Sequence, residues 1–298
     1  TTAAVSYEME SLMSQPQQPS SLWQDAFRRF LRNKLSVVAG SIILLLAFLA
    51  VFAPFVSPFL YSEANFDDAW QFPTMSHPMG TDSIGRDYFS RIVYGARISL
   101  IVGLVAQLIS IFIGVPLGAI AGFKGGRADY FVMRLVDVMS VFPSLLFAIL
   151  IMAWLGSGLT NVLVAIGVTG WVQVCRLVRA QFLSLRESDF VRASKAMGAS
   201  DTHLIIRHML PNALSPIIVG LAMGIPAAIF AEAGLSFLGL GINPPTPSWG
   251  QMVSSHLPNV IYYWHLALFP VFMIALTMLG FSLVGDGLRD ALDPRMND

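Results

Sequence analysis

Residues 138–175 read VMSVFPSLLFAILIMAWLGSGLTNVLVAIGVTGWVQVC and contain 38 consecutive positions without an Asp, Glu, Lys or Arg. A hydrocarbon core of roughly 30 Å is crossed by about 20 helical residues, so a single helix of this length would overshoot a bilayer. Gly156, Ser157 and Gly158 interrupt the run near its middle with residues that favour a turn. The stretch therefore predicts a hairpin of two transmembrane helices, with span three at residues 130–155 and span four at residues 159–177.

The composition of the chain agrees with a membrane protein. Of 298 residues, 55% are hydrophobic and 12% are charged, whereas soluble domains have about 45–50% and about 25%. So few charges cannot cover a water-facing surface, and lipid is therefore the main solvent. The formal net charge is zero, which gives no indication of a nucleic-acid partner. The single cysteine, Cys175, excludes an intrachain disulfide and a cysteine-based metal site.

Four more segments are apolar enough to cross a membrane, so the sequence predicts an all-α integral membrane protein with six transmembrane helices. Span one occupies residues 35–57, where Pro54 and Pro58 close it, and the others occupy residues 98–123, 212–233 and 265–284. The stretch between spans five and six is too rich in helix breakers to be a seventh span. It can re-enter the membrane only where protein surrounds it.

The remaining segments complete the predicted organisation. Residues 1–21 are polar and are expected to form a disordered tail. In residues 22–34, apolar side chains at helical spacing alternate with three arginines, which predicts an amphipathic helix on the membrane surface. We expect an extracytoplasmic loop at residues 58–97, a five-helix core at 98–286 with a cytoplasmic loop at 185–212, and a cytoplasmic tail at 287–298.

The positions of the basic residues predict the orientation. If the N-terminus is cytoplasmic, the inner segments hold fifteen Lys and Arg residues, whereas the outer segments hold only Arg86, Arg91 and Arg97. Cytoplasmic loops of membrane proteins carry such an excess of positive charge. We therefore expect both termini in the cytoplasm. The extracytoplasmic interface of the membrane is then expected to contain Trp154, Trp249 and Trp264.

The sequence offers little chemistry for catalysis or ion coupling, and we expect no catalytic residue. It contains no Gly-x-x-x-x-Gly-Lys-Ser/Thr phosphate loop, so we expect no ATP binding of that kind. An ion-coupled carrier is expected to bury ionisable groups at mid-membrane, but the spans offer little: Arg134 and Asp137 near one end of span three, and Glu232 near one end of span five. Arg134 and Asp137 lie three residues apart and are expected to pair. Glu232 either lines a transport route or binds a neighbouring helix.

The loop after span four, residues 187–212, reads ESDFVRASKAMGASDTHLIIRHMLPN. Ser188 can cap a short helix that ends at Gly198, where glycine permits a left-handed conformation. Ser200 or Asp201 can cap a second short helix that stops before Pro211. The first helix carries a mostly apolar stripe of Phe190, Ala193, Ser194 and Met197. We expect this stripe to dock into a groove of another protein, with lipid headgroups as the alternative surface.

The same loop resembles the ATPase-contacting motif of bacterial importer permeases, which reads Glu-Ala-Ala, three residues, Gly, nine residues and Ile-x-Leu-Pro. Residues 192–194 align with the triplet and Gly198 with the glycine, while Arg192 and His208 replace the glutamate and the isoleucine. The resemblance implies an ATPase-coupling surface formed by Phe190, Arg192, Ala193, Ser194, Met197, Gly198, Ala199, Leu210 and Pro211.

Three more motifs are similar to the C-type permease subunit of dipeptide and oligopeptide importers. They are HPMGTDSIGRD at 77–87 with GARISLIVG at 95–103, LGLGINPPTPSWG at 238–250, and GDGLRDALDP at 285–294. The resemblance covers residues 22–295. It implies the type I ABC importer permease fold in a bacterial inner membrane. It also implies a heterodimer with a B-type permease, two cytoplasmic ATPases that bind ATP and magnesium, and an extracytoplasmic solute-binding protein.

The outer-loop motif consists of Gly80, Thr81, Asp82, Gly85, Arg86 and Asp87. Its two glycines permit a tight turn, and Asp87 can cap the helix that enters span two. Arg86 and Asp87 are expected to fix the loop against the partner permease, and a metal site of His77, Asp82 and Asp87 is the less favoured reading. The expected cargo is a short peptide, and the alternatives are a nickel chelate or glutathione. A self-contained channel or ion-coupled carrier is the rival function.

Overall fold

The computed structural model describes residues 22–292, so the predictions for the tails at 1–21 and 293–298 lie outside the described residues. The helices in chain order are α1 (Leu22–Arg32), α2 (Lys34–Val51), α3 (Ala53–Val56), α4 (Tyr88–Lys124), α5 (Gly126–Val141), α6 (Ser144–Leu155), α7 (Leu159–Arg186), α8 (Asp189–Ala196), α9 (Asp201–His203), α10 (Leu210–Phe237), α11 (Trp249–His256) and α12 (Trp264–Leu292). A π-helical turn, Leu204–Met209, joins α9 to α10. No β-strand occurs in residues 22–292, which agrees with the predicted all-α class.

Five helical segments within residues 22–292 are long and apolar enough to cross a membrane. They are α2, α4, α7, the continuous segment Asp201–Phe237, and α12. The pair α5 and α6 qualifies only as one unit and is bent by 84°. The number of candidate spans is therefore five, or six if the bent pair crosses as one.

The prediction of one helix over residues 130–155 is wrong, because the chain breaks at Phe142 and Pro143. Phe142 has an extended backbone with ψ 129°, and α6 starts directly after Pro143. Proline has no N–H to donate to the preceding turn, and it also disfavours the helical conformation of the residue before it. The turn at Gly156 and Gly158 occurs as predicted, since both glycines have positive φ.

The other spans lie where hydropathy predicts them, but the helices α4, α7, α10 and α12 are longer than predicted. Helix α4 begins inside the predicted extracytoplasmic loop, α7 continues beyond residue 177, and α12 continues past residue 284 to Leu292. Hydropathy detects only the part of a helix that lies in lipid. The backbone hydrogen bonds can continue beyond that part into water, so the helix is longer than its apolar segment. The predicted stop before Pro211 is also wrong, because the segment Asp201–Phe237 is continuous. Leu210 donates its N–H to Ile205 in the widened π turn, which precedes this proline.

Helices α4 and α7 form the centre of the bundle and pack closely along their length. Gly118 and Gly122 make this approach possible. A Cβ atom on Gly118 would lie 2.6 Å from the carbonyl oxygen of Cys175, and one on Gly122 would lie 2.5 Å from the Cβ of Phe182. Small residues at helix interfaces are the usual route to tight helix packing in membranes. Helix α10 packs against both members of this pair and α2 packs against α4, while α12 packs mainly against α2 and α10.

Two predicted placements of side chains are wrong. Trp249 is fully buried instead of lying at a lipid interface, and its Nε1 donates a 3.0 Å hydrogen bond to the carbonyl oxygen of Ile92. Arg134 does not pair with Asp137 but lies over the ring of Tyr130, 5.4 Å from its centroid. The partner of Trp249 comes from another segment, about which sequence spacing gives no information. Tyr130 lies four residues before Arg134 on the same helix, while Asp137 lies 3.8 Å from Arg176 on α7.

Candidate functional site

The cytoplasmic loop predicted at 185–212 contains the two short helices α8 and α9. Ser188 is the extended residue that starts α8, and Gly198 follows the end of that helix with φ +86°. The Gly198 N–H donates to the Lys195 carbonyl at 3.0 Å, and the Ala199 N–H donates to the Ser194 carbonyl at 3.1 Å. Ser200 caps α9 by accepting a hydrogen bond from the His203 N–H. The Ser200 cap and the left-handed Gly198 are confirmed. The Ser188 side chain does not cap α8, because its hydroxyl donates to the Leu185 carbonyl oxygen.

Val191 anchors this loop to the helix bundle. Its side chain is 2% exposed and belongs to a buried cluster with Phe123, Phe182, Leu204 and Met209. Those residues come from the ends of α4 and α7 and from the π turn before α10. Sequence reasoning missed Val191, although it is the one large aliphatic residue in α8. The anchored face fixes which side of α8 faces outward.

The predicted stripe lies on the outward side of α8. Phe190 is 42% exposed and Met197 is 82% exposed, while Ala193 is exposed and Ser194 and Ala199 are half-buried. At the end of the motif, Leu210 is half-buried and Pro211 is exposed. Within the described chain the stripe therefore has no core to enter, as expected of a docking surface.

A cleft of about 420 Å³ lies beside this stripe, between the loop and the ends of α4 and α7. Four basic side chains line it together with two acidic ones: Lys124, Arg186, Arg192, Lys195, Glu187 and Asp201. Arg192 is partly held in place, because it donates a 2.7 Å hydrogen bond to the Glu187 carbonyl and lies 3.6 Å from Asp189. The loop therefore combines an exposed apolar stripe with a mainly positive flank.

The outer-loop motif folds around Asp82, whose side chain is fully buried. One carboxylate oxygen accepts hydrogen bonds from the backbone N–H groups of Ile84 and Arg86, and the other accepts from the Arg86 Nε at 2.6 Å. Thr81 and Asp87 pair across the turn in an isolated antiparallel bridge. Gly85 has φ +77°, and a Cβ there would lie 1.7 Å from the Asn65 carbonyl oxygen, so this position requires glycine. Gly80 also has positive φ.

Asp87 caps α4 as predicted, since it accepts a 2.7 Å hydrogen bond from the Ser90 N–H. Its second oxygen lies 2.9 Å from the His77 Nδ1. Among the described residues, Arg86 and Asp87 thus bind groups close to them in the chain. The sequence predicts that these two side chains fix the loop against the second permease. His77, Asp82 and Asp87 do not converge on one point, and no cluster suited to a metal ion occurs in residues 22–292.

Arg91 connects this loop to a distant part of the chain. Its side chain is 1% exposed, its Nε lies 3.7 Å from the Asp82 carboxylate, and its Nη1 donates to the carbonyl oxygens of Tyr61 and Pro245. Sequence reasoning counted Arg91 only as one of three outer cations. The sequence did contain a signal for this role, because Arg91 is a basic residue in the first turn of a helix that starts beside an acidic turn.

Glu232, near the end of α10, is fully buried within the chain. Its Oε1 accepts 2.7 Å hydrogen bonds from the hydroxyls of Ser236 and Ser248, while Oε2 has no partner among the described residues. The carboxylate therefore ties α10 to the segment before α11. It does not line the cavity described next.

A cavity of about 530 Å³ lies between α4, α7, α10 and the break that separates α5 from α6. Its polar lining consists of Gln107, Ser140, Ser144, Thr169, Gln173 and Arg176, and the remainder is apolar or glycine. Gln107 lies near the middle of α4 and Gly224 near the middle of α10, so the cavity extends deep into the bundle. The volume falls within the roughly 300–1,000 Å³ of small-molecule pockets. A cavity at this depth suits a solute more than a docking protein.

Comparison with known families decides what this bundle is. Residues 114–298, which include the loop at 185–212, match the family described as "binding-protein-dependent transport system inner membrane component". The chain belongs to this family. Residues 21–73 also match the "N-terminal TM domain of oligopeptide transport permease C". The predicted family is therefore confirmed, and the protein is a multi-pass membrane permease.

Curated relatives of this permease cover nearly its whole length. It is 46% identical over 277 residues to the oligopeptide transport system permease protein OppC of Bacillus subtilis, covering 93% of this chain and 90% of that protein. The dipeptide transport system permease protein DppC of the same organism is also 46% identical, over 93% of this chain and 87% of that protein. The glutathione transport system permease protein GsiD of Pectobacterium atrosepticum is 42% identical, covering 92% and 91%.

Solved structures support the fold of the permease. A chain of the MetNI methionine ABC transporter in an inward-facing conformation has a TM-score of 0.58 and 18% identity, covering 69% of this permease and 97% of that chain. An amino acid ABC transporter crystallised with histidines gives a TM-score of 0.53 and 15% identity, covering 68% and 94%. The predicted fold class of an ABC importer permease is confirmed in its helical core.

Proposed function

We propose that this permease is the C-type half of a heterodimeric ATP-driven importer that moves short peptides across the bacterial cytoplasmic membrane. The observation that supports the cargo is the 46% identity to permeases of oligopeptide and dipeptide systems over about nine-tenths of the chain. In this proposal the other half is a B-type permease, an extracytoplasmic solute-binding protein delivers the peptide, and two cytoplasmic ATPases bind ATP and magnesium.

The geometry of the cytoplasmic loop supports coupling to such an ATPase. The stripe on α8 is exposed, and its opposite face is anchored through Val191. A partner that moves the stripe therefore also moves the buried cluster at the ends of α4 and α7. Energetic coupling between distant sites requires packed elements of this kind.

The helix after the loop supplies a path across the membrane. The segment Asp201–Phe237 is one helical unit of 37 residues, which corresponds to a rod of about 55 Å. Its first end lies beside α8, and Glu232 near its other end is hydrogen-bonded to Ser248. In our proposal, closure of the ATPases displaces the loop, and this rod transmits the displacement to the outer side. The resulting cycle is alternating access.

We assign six spans, with the bent pair α5–α6 counted as one and both termini in the cytoplasm. The fifteen-to-three distribution of basic residues supports this orientation. Ser83→Cys and Met197→Cys provide a matched test, because both positions are exposed whereas the native Cys175 is fully buried. In intact cells an impermeant thiol reagent should label Cys at 83 but reach Cys at 197 only after permeabilisation. The reverse pattern would contradict the orientation.

Uptake by the reconstituted complex tests the function. Proteoliposomes with both permeases, both ATPases and the binding protein should accumulate labelled di- to pentapeptides only when ATP is supplied. The permease purified without ATPase subunits should hydrolyse no ATP. ATP-dependent nickel uptake that peptides do not compete with would refute the peptide assignment.

Glutathione is the second candidate cargo, because the GsiD relative is 42% identical over 92% of the chain. Competition in the same vesicles separates the two. Peptide uptake that unlabelled glutathione reduces only weakly assigns peptides in general as the cargo. Uptake of labelled glutathione that unlabelled peptides do not reduce assigns glutathione. Neither histidine nor cysteine is found in the cavity lining among the described residues, and such donors would favour a nickel chelate.

A further inference from the structure

The polar groups of the 530 Å³ cavity carry almost no net charge. Its lining contains no carboxylate among the described residues, and its one ionic side chain is Arg176. Arg176 donates a 2.8 Å hydrogen bond to the Ser140 hydroxyl and lies 3.8 Å from the Asp137 carboxylate. Asp137 thus partly offsets the charge of this arginine, and the lining contains no further ionic group among the described residues.

Gln107 is the buried polar residue of this lining. It is 9% exposed, and its Nε2 donates a 3.0 Å hydrogen bond to the Gly224 carbonyl oxygen on α10. Gly224 makes this position possible, because a Cβ there would lie 2.4 Å from the Gln107 Oε1. The amide is thus held on one side by α10, while Oε1 has no hydrogen-bond partner among the described residues.

A fixed acceptor in a neutral cavity has a specific chemical complement. Gln107 lines the cavity, so its Oε1 can be reached from there, and a solute N–H can take the place of water as its hydrogen-bond donor. Peptides of every sequence share their backbone N–H groups but differ in side-chain charge. A neutral amide recognises the shared group and ignores the variable one.

We propose that Gln107 is a substrate-contacting residue whose Oε1 accepts a hydrogen bond from a backbone N–H of the peptide in transit. This inference rests on the proposed peptide transport. It assigns recognition of the peptide backbone to α4 and makes this half of the route indifferent to side-chain charge. Gly224 is the positioning residue, since it provides the space in which the glutamine amide is held.

Ester analogues test the contact directly. The complete complex in proteoliposomes is supplied with a labelled tripeptide or with one of two analogues, each with one backbone N–H replaced by an ester oxygen. For each substrate, uptake at limiting concentration is compared between wild type and Gln107→Met, a substitution of similar length without an acceptor. The binding protein is the same for wild type and variant, so its own preference cancels in the ratio.

The expected result is selective. Gln107→Met should lower uptake of the tripeptide about two- to tenfold, the range for one hydrogen bond, and should leave uptake of one ester analogue nearly unchanged.

An equal loss for the tripeptide and both analogues in Gln107→Met would assign Gln107 a merely structural role and overturn the inference. Normal uptake by Gln107→Met with an unchanged ratio of tripeptide uptake to ester uptake would overturn the inference as well. Absence of ATP-dependent peptide uptake by the wild-type complex is a different outcome, because it refutes the proposed peptide transport itself.

Discussion

Gly198→Val is the substitution that separates the backbone conformation of the cytoplasmic loop from its contacts. Gly198 has φ +86°, and a Cβ atom built there meets nothing within 4 Å. The new side chain therefore has space, and its cost arises from the left-handed backbone alone. For a residue other than glycine that cost is about 1–2 kcal/mol, and a β-branched side chain is at the upper end or beyond.

This cost acts on the hydrogen bonds that close α8. The strain is relieved if Gly198 and Ala199 give up their bonds to Lys195 and Ser194, and the end of the docking stripe then turns away from its anchored position. A difference of 1–2 kcal/mol changes a conformational equilibrium roughly five- to thirtyfold. We therefore expect ATP-driven peptide uptake to fall at least about fivefold, while the subunit still inserts and the labelling at position 83 is unchanged.

Gly156→Val provides the matched control. Gly156 has φ +82° and also has nothing within 4 Å of a built Cβ, but it lies in the turn between α6 and α7. Gly156 has ψ 175°, a conformation that is essentially restricted to glycine, so a valine is strained there as well. The position lies outside the ATPase-coupling surface. Normal uptake by Gly198→Val in a fully assembled complex would refute our placement of the coupling. An equal loss in both variants would show that backbone strain anywhere in the chain is sufficient.

Two further predictions concern the buried carboxylates Asp82 and Glu232. Asp82→Asn leaves the Arg91 guanidinium buried without its carboxylate, so the free energy of unfolding should fall by about 3–5 kcal/mol. Thermal unfolding of the purified complex measures the loss of stability, and an unchanged unfolding midpoint would contradict the prediction. Glu232→Gln keeps an oxygen that accepts from Ser236 and Ser248 and should cost no more than about 1 kcal/mol. Glu232→Leu leaves both hydroxyls without this acceptor and should cost about 2 kcal/mol or more. Equal stability of these two variants would show that the serine hydrogen bonds are unimportant.

The sequence determined those features of the protein that depend on neighbouring residues. Hydropathy located the spans because lipid selects each apolar segment independently of the others. The left-handed glycines at 80, 85 and 198 and the Asp87 cap follow from steric and hydrogen-bonding rules that operate over three or four residues. The break at Pro143 belongs to the same class, and the predicted single helix over residues 130–155 overlooked it.

Only the tertiary structure decided which side chains meet. Arg91 contacts the carbonyl of Pro245, Trp249 contacts Ile92, and Gln107 contacts Gly224, and each pair is separated by more than one hundred residues. The burial of Glu232 and the opening of the cavity depend in the same way on helices that are adjacent in space and distant in the chain. Local sterics and lipid solvation act residue by residue, so sequence order reveals them. Partner choice depends on how finished helices pack, and that information exists only once the bundle has formed.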